Sequence, residues 1–135
     1  MSFEISTNVI ADTNSERGFL ASCCKGELEP LVEGFERVQD TFFTSEKHRL
    51  IWQTIKGMDV GDIDETAVLL AMSGDDLEIC GGDKSVWQVL DSADTSIHWE
   101  TYLTKMERFH ALRSIKQICM ETLDGINDRD PEDMI

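Results

Sequence analysis

One long helical segment occupies the C-terminal third of this sequence. Asp94, Thr95 and Ser96 favour a helix start, and the next stop signal is Gly125. At about 100° per residue, the apolar residues of this segment form two successive stripes, rotated by roughly 140° from each other. The first stripe comprises Trp99, Tyr102, Leu103 and Met106, and the second comprises Leu112, Ile115, Cys119, Leu123 and Ile126. A helix with two apolar faces in succession should pack against two different structures.

The two stripes predict different partners. The first should close a globular head formed by the preceding residues. The second needs either a following helix or another subunit, unless the core of the head wraps around the helix to cover it. We therefore predict a subunit or partner interface in the second stripe, where the residues should be exposed or covered by another copy. The candidate interface residues are Leu112, Ile115, Cys119 and Leu123.

Cap and stop signals upstream of the long helix predict five shorter helices. The signals are a capping box at Thr13-Asn14-Ser15-Glu16, Pro30, a cap at Thr44 or Ser45, a cap at Asp64 with a stop at Ser73-Gly74, and a break at Gly81-Gly82. On the third of these helices, Leu50, Ile51, Trp52 and Ile55 should face inward. The apolar residues carried by the other helices are Phe19, Leu20, Cys23, Leu31, Val32, Phe35, Val86, Trp87, Val89 and Leu90. No convincing strand alternation occurs. The predicted fold is all-α, a compact multi-helix head followed by a long helix that begins a truncated helical hairpin.

Charge and composition exclude several classes of function. The 135 residues include 12 Lys and Arg against 27 Asp and Glu, so the formal net charge is −15. This charge opposes non-specific binding of DNA, RNA or anionic membranes by the chain alone, because such binding depends on Lys and Arg. A hydrophobic content of 41% is too high for a disordered acidic chain, and the length suits one domain with its own core.

Targeting and cysteine patterns predict a cytoplasmic protein. The N-terminus lacks a basic region followed by an apolar run, so it does not look like a secretory signal. No window approaches the run of about 18 apolar residues that spans a bilayer. The four cysteines show no CxxC spacing, which predicts free thiols in a reducing compartment.

Motifs for catalysis, cofactors and metals are incomplete. Gly82-Asp83-Lys84-Ser85 has Asp83 where a P-loop needs glycine directly before the lysine. Asp62 and Asp64 begin like a calcium loop that lacks its central glycine and final glutamate. Glu107 and His110 have the spacing of a di-iron helix without a second such pair. We therefore predict no catalytic, cofactor-binding or metal-binding residue in this chain.

An acidic segment separates the third and fifth predicted helices. Between Gly57 and Asp83 the chain has eight acidic residues and neither Lys nor Arg. One interpretation is a solvated face whose acids cap helices. The other is an electrostatic docking surface for a basic protein.

The end of the sequence resembles the start of another helix. Asp130-Pro131-Glu132-Asp133 combines a cap, a proline at the first position and acids in the first turn. Only two residues follow, so the expectation is a piece of a longer protein that ends as a second hairpin helix begins. The predicted organisation is a flexible arm over 1–12, a helical domain over 13–123 and an acidic segment over 124–135.

Taken in order, these landmarks resemble the N-terminal domain of replicative DNA helicases of the DnaB type. The similarity covers about residues 14 to 135, and its strongest part is FFTSEKHRLIWQTI at 42–55. The other matching segments are NSERGFLAS at 14–22, DETAVLL at 64–70, GGDKSVWQVL at 81–90 and SIHWETYL at 96–103. In this segment of the family, His48 would be a packed structural residue rather than a catalytic one.

The resemblance implies a role without catalysis. In this family a helical head precedes a two-helix hairpin through which subunits pair as dimers or higher oligomers, within a hexameric ring. The domain acts as a collar and contributes to docking primase or a helicase loader. ATP and magnesium would belong only to a motor domain that is absent here, and DNA would be bound only through the full-length helicase.

Two alternatives remain open from the sequence. The chain could be a stand-alone adaptor or inhibitor with the collar fold, acting on a replicative helicase. It could also be an acidic decoy that mimics DNA toward a basic target, a reading that rests on the charge alone.

Overall fold

The computed structural model describes residues 11–127, and all regular structure in this range is helical. The prediction of an all-α fold with a long C-terminal helix is confirmed. The seven α-helices are α1 (Thr13–Ser22), α2 (Glu29–Arg37), α3 (Glu46–Lys56), α4 (Glu65–Ala71), α5 (Gly74–Ile79), α6 (Asp83–Leu90) and α7 (Trp99–Asn127). Two single-turn 3-10 helices, Asp40–Phe42 and Val60–Asp62, precede α3 and α4.

Helix α1 begins where predicted, but the predicted capping box is wrong. Asp12 caps the helix instead, because its side chain accepts hydrogen bonds from the N–H and the hydroxyl of Ser15. Glu16 is thereby released from the cap and turns into the head. Asp12, which the prediction places at the end of the arm over 1–12, is the cap of α1, and residues 1–10 lie outside the described range.

The core of the head is built around Trp52 of α3. Its ring centroid lies 5.7 Å from the rings of Phe19 and Phe35 and 5.9 Å from that of Phe43. A Cβ atom on Gly34 would come within 2.9 Å of both Phe19 and Trp52, so α2 depends on glycine for its close approach to these rings. Such dense aromatic packing supplies much of the buried apolar area that stabilises the head.

Helices α4 to α6 are short and follow one another closely along the chain. The caps predicted for α3 and α4 are confirmed, since Ser45 and Asp64 accept backbone hydrogen bonds from the first turns. The stop predicted at Ser73 is also the start of α5, a helix that the sequence analysis does not predict. Ser73 caps α5 by accepting from the N–H of Asp76. Helix α5 has no apolar periodicity from which it could be predicted, because none of its residues is buried.

Helix α7 has 29 residues and is about 43 Å long. It begins three residues after the predicted start at Ser96 and continues through Gly125, two residues past the predicted stop. The first four residues of the predicted 124–135 segment therefore belong to α7, and the second hairpin helix predicted at Asp130 lies outside the described residues. Two apolar residues of the shorter helices, Val32 of α2 and Trp87 of α6, are exposed.

Candidate functional site

The first half of α7 closes the head. Leu103 and Met106 are buried, and Trp99 and Tyr102 pack half-buried beside them. The ring of Tyr102 lies so close to α1 that a Cβ atom on Gly18 would come within 2.6 Å of it. Gly18 therefore provides the space in which α1 and α7 pack, and the first stripe has the role that the sequence predicts.

Polar contacts between α7 and the head reach at least as far as Arg113. Glu107 forms an ion pair with the last residue of α2. The ring of His110 lies 4.5 Å from that of Phe42, and its Nε2 is 3.1 Å from Oγ1 of Thr41. Arg113 donates to the carbonyl oxygens of Thr41 and Phe42 at 2.9 and 3.1 Å. Desolvation, together with the charge of Arg113, lowers the pKa of His110 and favours its neutral form.

The second half of α7 carries its apolar residues on the surface. Their exposed fractions run from 38% at Leu112 to 62% at Ile118. The exposed set contains the four candidate residues and three more: Leu112, Ile115, Ile118, Cys119, Met120, Leu123 and Ile126. Single exposed apolar residues are ordinary, but a continuous set on one helix is typical of an interaction surface.

The spacing within this set is that of a coiled-coil seam. Alternating steps of three and four residues connect Leu112, Ile115, Cys119 and Ile126 through Thr122, a polar residue at the position between Cys119 and Ile126. They correspond to positions a and d of a heptad, and at about 100° per residue they span a stripe roughly 80 to 100° wide. Another side of the helix is polar, where Gln117 donates to Glu121 at 2.9 Å. The stripe suits one partner helix, and Ile118 and Met120, exposed on its two sides, extend the apolar surface beyond it. We call the residues of this stripe together with Leu123 the α7 seam.

A buried polar cluster connects α1 to the start of α3. Glu16 accepts from the N–H and the hydroxyl of Thr44 at 3.1 and 2.7 Å, and from the N–H of Ser45 at 3.4 Å. Nδ1 of His48 lies 3.1 Å from Oε1 of Glu16. Burial alone would raise the pKa of Glu16, but the hydrogen bonds from His48 and Thr44 outweigh it, so the pKa is lowered.

This cluster stabilises the head rather than forming an active site. Glu16 and His48 are both buried, so no substrate can reach the pair. The ionised carboxylate satisfies the N-terminal backbone of α3, where the helix dipole also favours negative charge. The packed role that the resemblance implies for His48 agrees with this burial. The sequence offers no signal for the partner of Glu16, which lies 32 residues away.

The four cysteines fall into two environments. All are free thiols, as the lack of a CxxC spacing predicts. Burial raises the pKa of Cys23 well above its ordinary value and raises that of Cys24 to about 12. Cys80 is buried as well, whereas Cys119 is exposed in the middle of the α7 seam. The buried thiols are therefore unreactive near neutral pH, and Cys119 is accessible.

The acidic segment between Gly57 and Asp83 serves the local helices in part. Asp64 caps α4, and Asp75 and Asp76 lie in the first turn of α5. Glu65, in the first turn of α4, forms an ion pair with Lys25. Asp83 lies in the first turn of α6, so these positions favour the capping interpretation for five of the eight acids. Asp76 also lines a shallow concavity of about 340 Å³ beside Gly57 and Met58.

Comparisons with known proteins add no family. No family model, curated protein or solved structure matches this chain. Among residues 11–127, no group of three or more His, Cys, Asp or Glu side chains could hold a metal ion. Nor does any helix in that range combine the length and the apolar character that crossing a membrane requires.

Proposed function

We propose that this chain is a non-catalytic association domain, the N-terminal collar of a replicative DNA helicase of the DnaB type. In this role the α7 seam pairs subunits within an oligomeric ring, and the domain contributes to docking primase or a helicase loader in the cytoplasm. The α7 seam is the observation that supports this proposal. It is an apolar stripe with heptad spacing, left uncovered on a helix whose first half is firmly docked.

Energetics support a partner on this seam. Burying a leucine or isoleucine side chain contributes about 1.5–3 kcal/mol relative to leaving it in water. The seam holds four such residues, Leu112, Ile115, Leu123 and Ile126. The second half of α7 is about 15 residues long, and an isolated helix of about that length is marginally stable in water. Pairing would therefore both bury the seam and stabilise the helix that carries it.

The order of the sequence landmarks supports the replicative helicase in particular. The segment at 42–55 folds into the end of one 3-10 turn and helix α3, and it supplies Trp52 and His48 to the interior. Helix α4 follows from its predicted cap at Asp64. A helical head followed by one long helix with an open apolar face is the arrangement that a collar with a pairing hairpin requires.

Sedimentation of the full chain over a range of concentrations tests the pairing. We expect reversible self-association, which the double variant Ile115→Ser/Leu123→Ser should weaken by about tenfold or more, since it removes two apolar contacts. Leu70→Ser/Ile79→Ser is the matched control, because both residues are exposed apolar side chains of the head. Equal behaviour of the seam variant, the control and the unchanged chain would contradict pairing through the seam.

Disulfide cross-linking through Cys119 tests how two copies of α7 are arranged in the pair. It lies midway between Leu112 and Ile126, so a two-fold pair centred on the seam brings two copies of Cys119 together. Mild oxidation should then produce a disulfide-linked dimer, which Cys119→Ser abolishes. In the Cys119→Ser background, mixing Ile115→Cys with Leu123→Cys should form a disulfide between the two different variants only if the helices run antiparallel, whereas parallel helices would cross-link each variant with itself. If neither oxidation forms a cross-link, the two-fold pair is wrong.

The helicase assignment needs its own test. The full chain should bind the replicative helicase or the primase of the same organism, and Ile115→Ser/Leu123→Ser should weaken helicase binding. Lack of affinity for both proteins would contradict the collar proposal. Inhibition of unwinding by an intact helicase when the chain is added would favour the stand-alone regulator instead.

A further inference from the structure

A groove lies between α2 and the first turn of α7, on the head and apart from the α7 seam. Its volume is about 460 Å³, and it is open to solvent along one side. Its lining combines apolar, acidic and basic side chains from the two helices and from the residue before α2: Leu28, Glu29, Val32, Glu33, Arg37, Trp99 and Glu100. Trp99 is half-buried, so the core of the head holds its ring in place at the groove.

A second concavity continues this groove along α7. It is lined by Ile97, Glu100, Thr101, Thr104 and Lys105, and it shares Glu100 with the first. Leu28, Val32 and Ile97 are strongly exposed, with exposed fractions from 48% at Val32 to 75% at Ile97. Half of the exposed large apolar side chains of the head, outside α7, therefore line these two adjoining concavities. We call this surface the α2–α7 groove.

Carboxylates surround the apolar floor of the α2–α7 groove. Glu29, Glu33 and Glu100 contribute three negative charges, and Lys105 contributes one positive charge at the far end of the second concavity. Arg37 is already engaged, since it forms ion pairs with Glu107 and, at 3.5 Å, with Glu33. Among residues 11–127, neither Glu29 nor Glu100 forms an ion pair. The groove thus presents an apolar strip beside carboxylates that are available to a cation.

We propose that the α2–α7 groove binds a basic amphipathic segment of a partner protein. Aliphatic or aromatic side chains of that segment lie on Leu28, Val32 and Trp99, and its Lys or Arg residues face Glu29 and Glu100. The carboxylates at the groove favour a segment rich in Lys and Arg, and this chain has only 12 such residues against 27 Asp and Glu, so a partner of opposite charge suits the groove better than a second copy. The same carboxylates would repel the phosphates of a nucleic acid. This surface is separate from the seam, so the inference does not depend on how subunits pair.

Model peptides of defined chemistry test the groove. Three fluorescein-labelled helical peptides of equal length share one leucine face and differ only in their polar face, which carries Lys, Gln or Glu. Anisotropy titration with the full chain should show binding of the Lys peptide, with the Gln peptide weaker by about tenfold and the Glu peptide not binding. Affinity for the Lys peptide should fall as salt rises. Equal affinity of the Lys and Gln peptides would overturn the charge argument.

Matched variants locate the binding on the protein. Leu28→Ser/Val32→Ser removes apolar contacts, and it should weaken binding of the Lys peptide by about fivefold or more. Glu29→Gln/Glu100→Gln should have a similar effect. The controls are Leu70→Ser/Ile79→Ser and Asp75→Asn/Glu78→Gln, which make the same kinds of change elsewhere on the head.

The comparison with these controls decides the outcome. Controls that change affinity by less than about twofold support the groove, because general attraction to an acidic chain would respond to any lost charge. Equal losses in the groove variants and the controls would overturn the proposal. So would a change of sedimentation in the groove variants without peptide, since it would identify a second copy as the occupant.

Discussion

The two halves of α7 are continuous in backbone but differ in what covers their apolar residues. In the first half, the buried side chains of Leu103 and Met106 complete the core of the head. In the second half, the residues of the α7 seam are exposed. Both halves are helical, so the difference is one of tertiary environment and not of secondary structure. The comparison shows that the apolar pattern of a helix identifies its faces but does not identify what covers them.

The difference also has an energetic consequence. The first half of α7, which we call the docked half, gains stability from core packing and from the contacts at His110 and Arg113. The second half, whose apolar residues are exposed and which we call the free half, has local hydrogen bonds such as the one between Gln117 and Glu121. Helices without tertiary packing fray easily. Stability should therefore decrease along α7 until a partner covers the seam.

The largest expected effect contrasts one substitution in the two halves. Leu103→Ala removes a fully buried side chain and should lower the free energy of unfolding by about 2–5 kcal/mol, because it leaves a cavity in the core. Leu112→Ala, in the free half, should cost less than about 1 kcal/mol in the monomer. Urea denaturation at a concentration below any self-association measures both. Similar losses would mean that the core of the head extends over the seam.

The next largest effect concerns the buried polar cluster around Glu16 and His48. This cluster connects α1, on which the first half of α7 packs, to the start of α3. Glu16→Gln should lower the free energy of unfolding by about 2 kcal/mol, because it weakens charge-assisted hydrogen bonds to buried donors. The control Glu46→Gln changes an exposed glutamate in the first turn of α3 and should have little effect.

Acidification tests the same cluster without a mutation. The pKa of Glu16 is lower in the folded protein than its ordinary value of 4.5, so its contribution is complete above about that pH. The contribution is lost as the pH falls from there through the folded pKa. Denaturation curves at successive pH values should therefore show a loss of stability that is smaller in Glu16→Gln. Parallel pH profiles for the two proteins would show that Glu16 is not responsible.

A smaller loss is expected where α1 meets the docked half. Gly18→Ala places a Cβ atom within 2.6 Å of the Tyr102 ring, so the ring or the helices must move apart. Overpacking of this kind costs about 1–3 kcal/mol, partly offset by the better helix propensity of alanine. Gly18→Ala/Tyr102→Leu should recover part of the loss, since it removes the ring that the methyl group meets. If the double variant is no more stable than the sum of the single effects, steric conflict is not the cause.

Local signals predicted most of the fold because local chemistry determines it. The caps at Ser45 and Asp64 act within three residues of sequence, so their spacing alone reveals them. Helix α5 escaped prediction because it buries none of its residues. The capping-box spacing predicts a local role for Glu16, whereas its partners in the structure lie 28 to 32 residues away. These partners become neighbours of Glu16 only when the chain folds, so no local sequence pattern indicates them.

The candidate site was predictable in part for the same reason. The periodicity of Leu112, Ile115, Cys119 and Leu123 defines one face of a helix. That this face is exposed depends on where the head ends, and periodicity does not contain this information. The α2–α7 groove could not be predicted at all, because it joins Val32 to Trp99 across 67 residues. The exposure of Val32, an apolar residue of α2, is the structural sign of that groove.

The smallest expected effect has the opposite sign and concerns the free half. No atom outside its own helix lies within 4 Å of a Cβ added to Gly125, so Gly125→Ala meets no obstacle. Position 125 is not one of the seam positions, so the seam itself stays unchanged. Alanine should raise helix content in this half by a free energy of about 0.5–1 kcal/mol, measured by circular dichroism and by slower amide exchange near Leu123. The global free energy of unfolding should barely change, because this half unfolds locally before the head does. A large gain in global stability would instead show that the free half belongs to the same cooperative unit as the docked half, and the contrast between them would then lie in exposure alone.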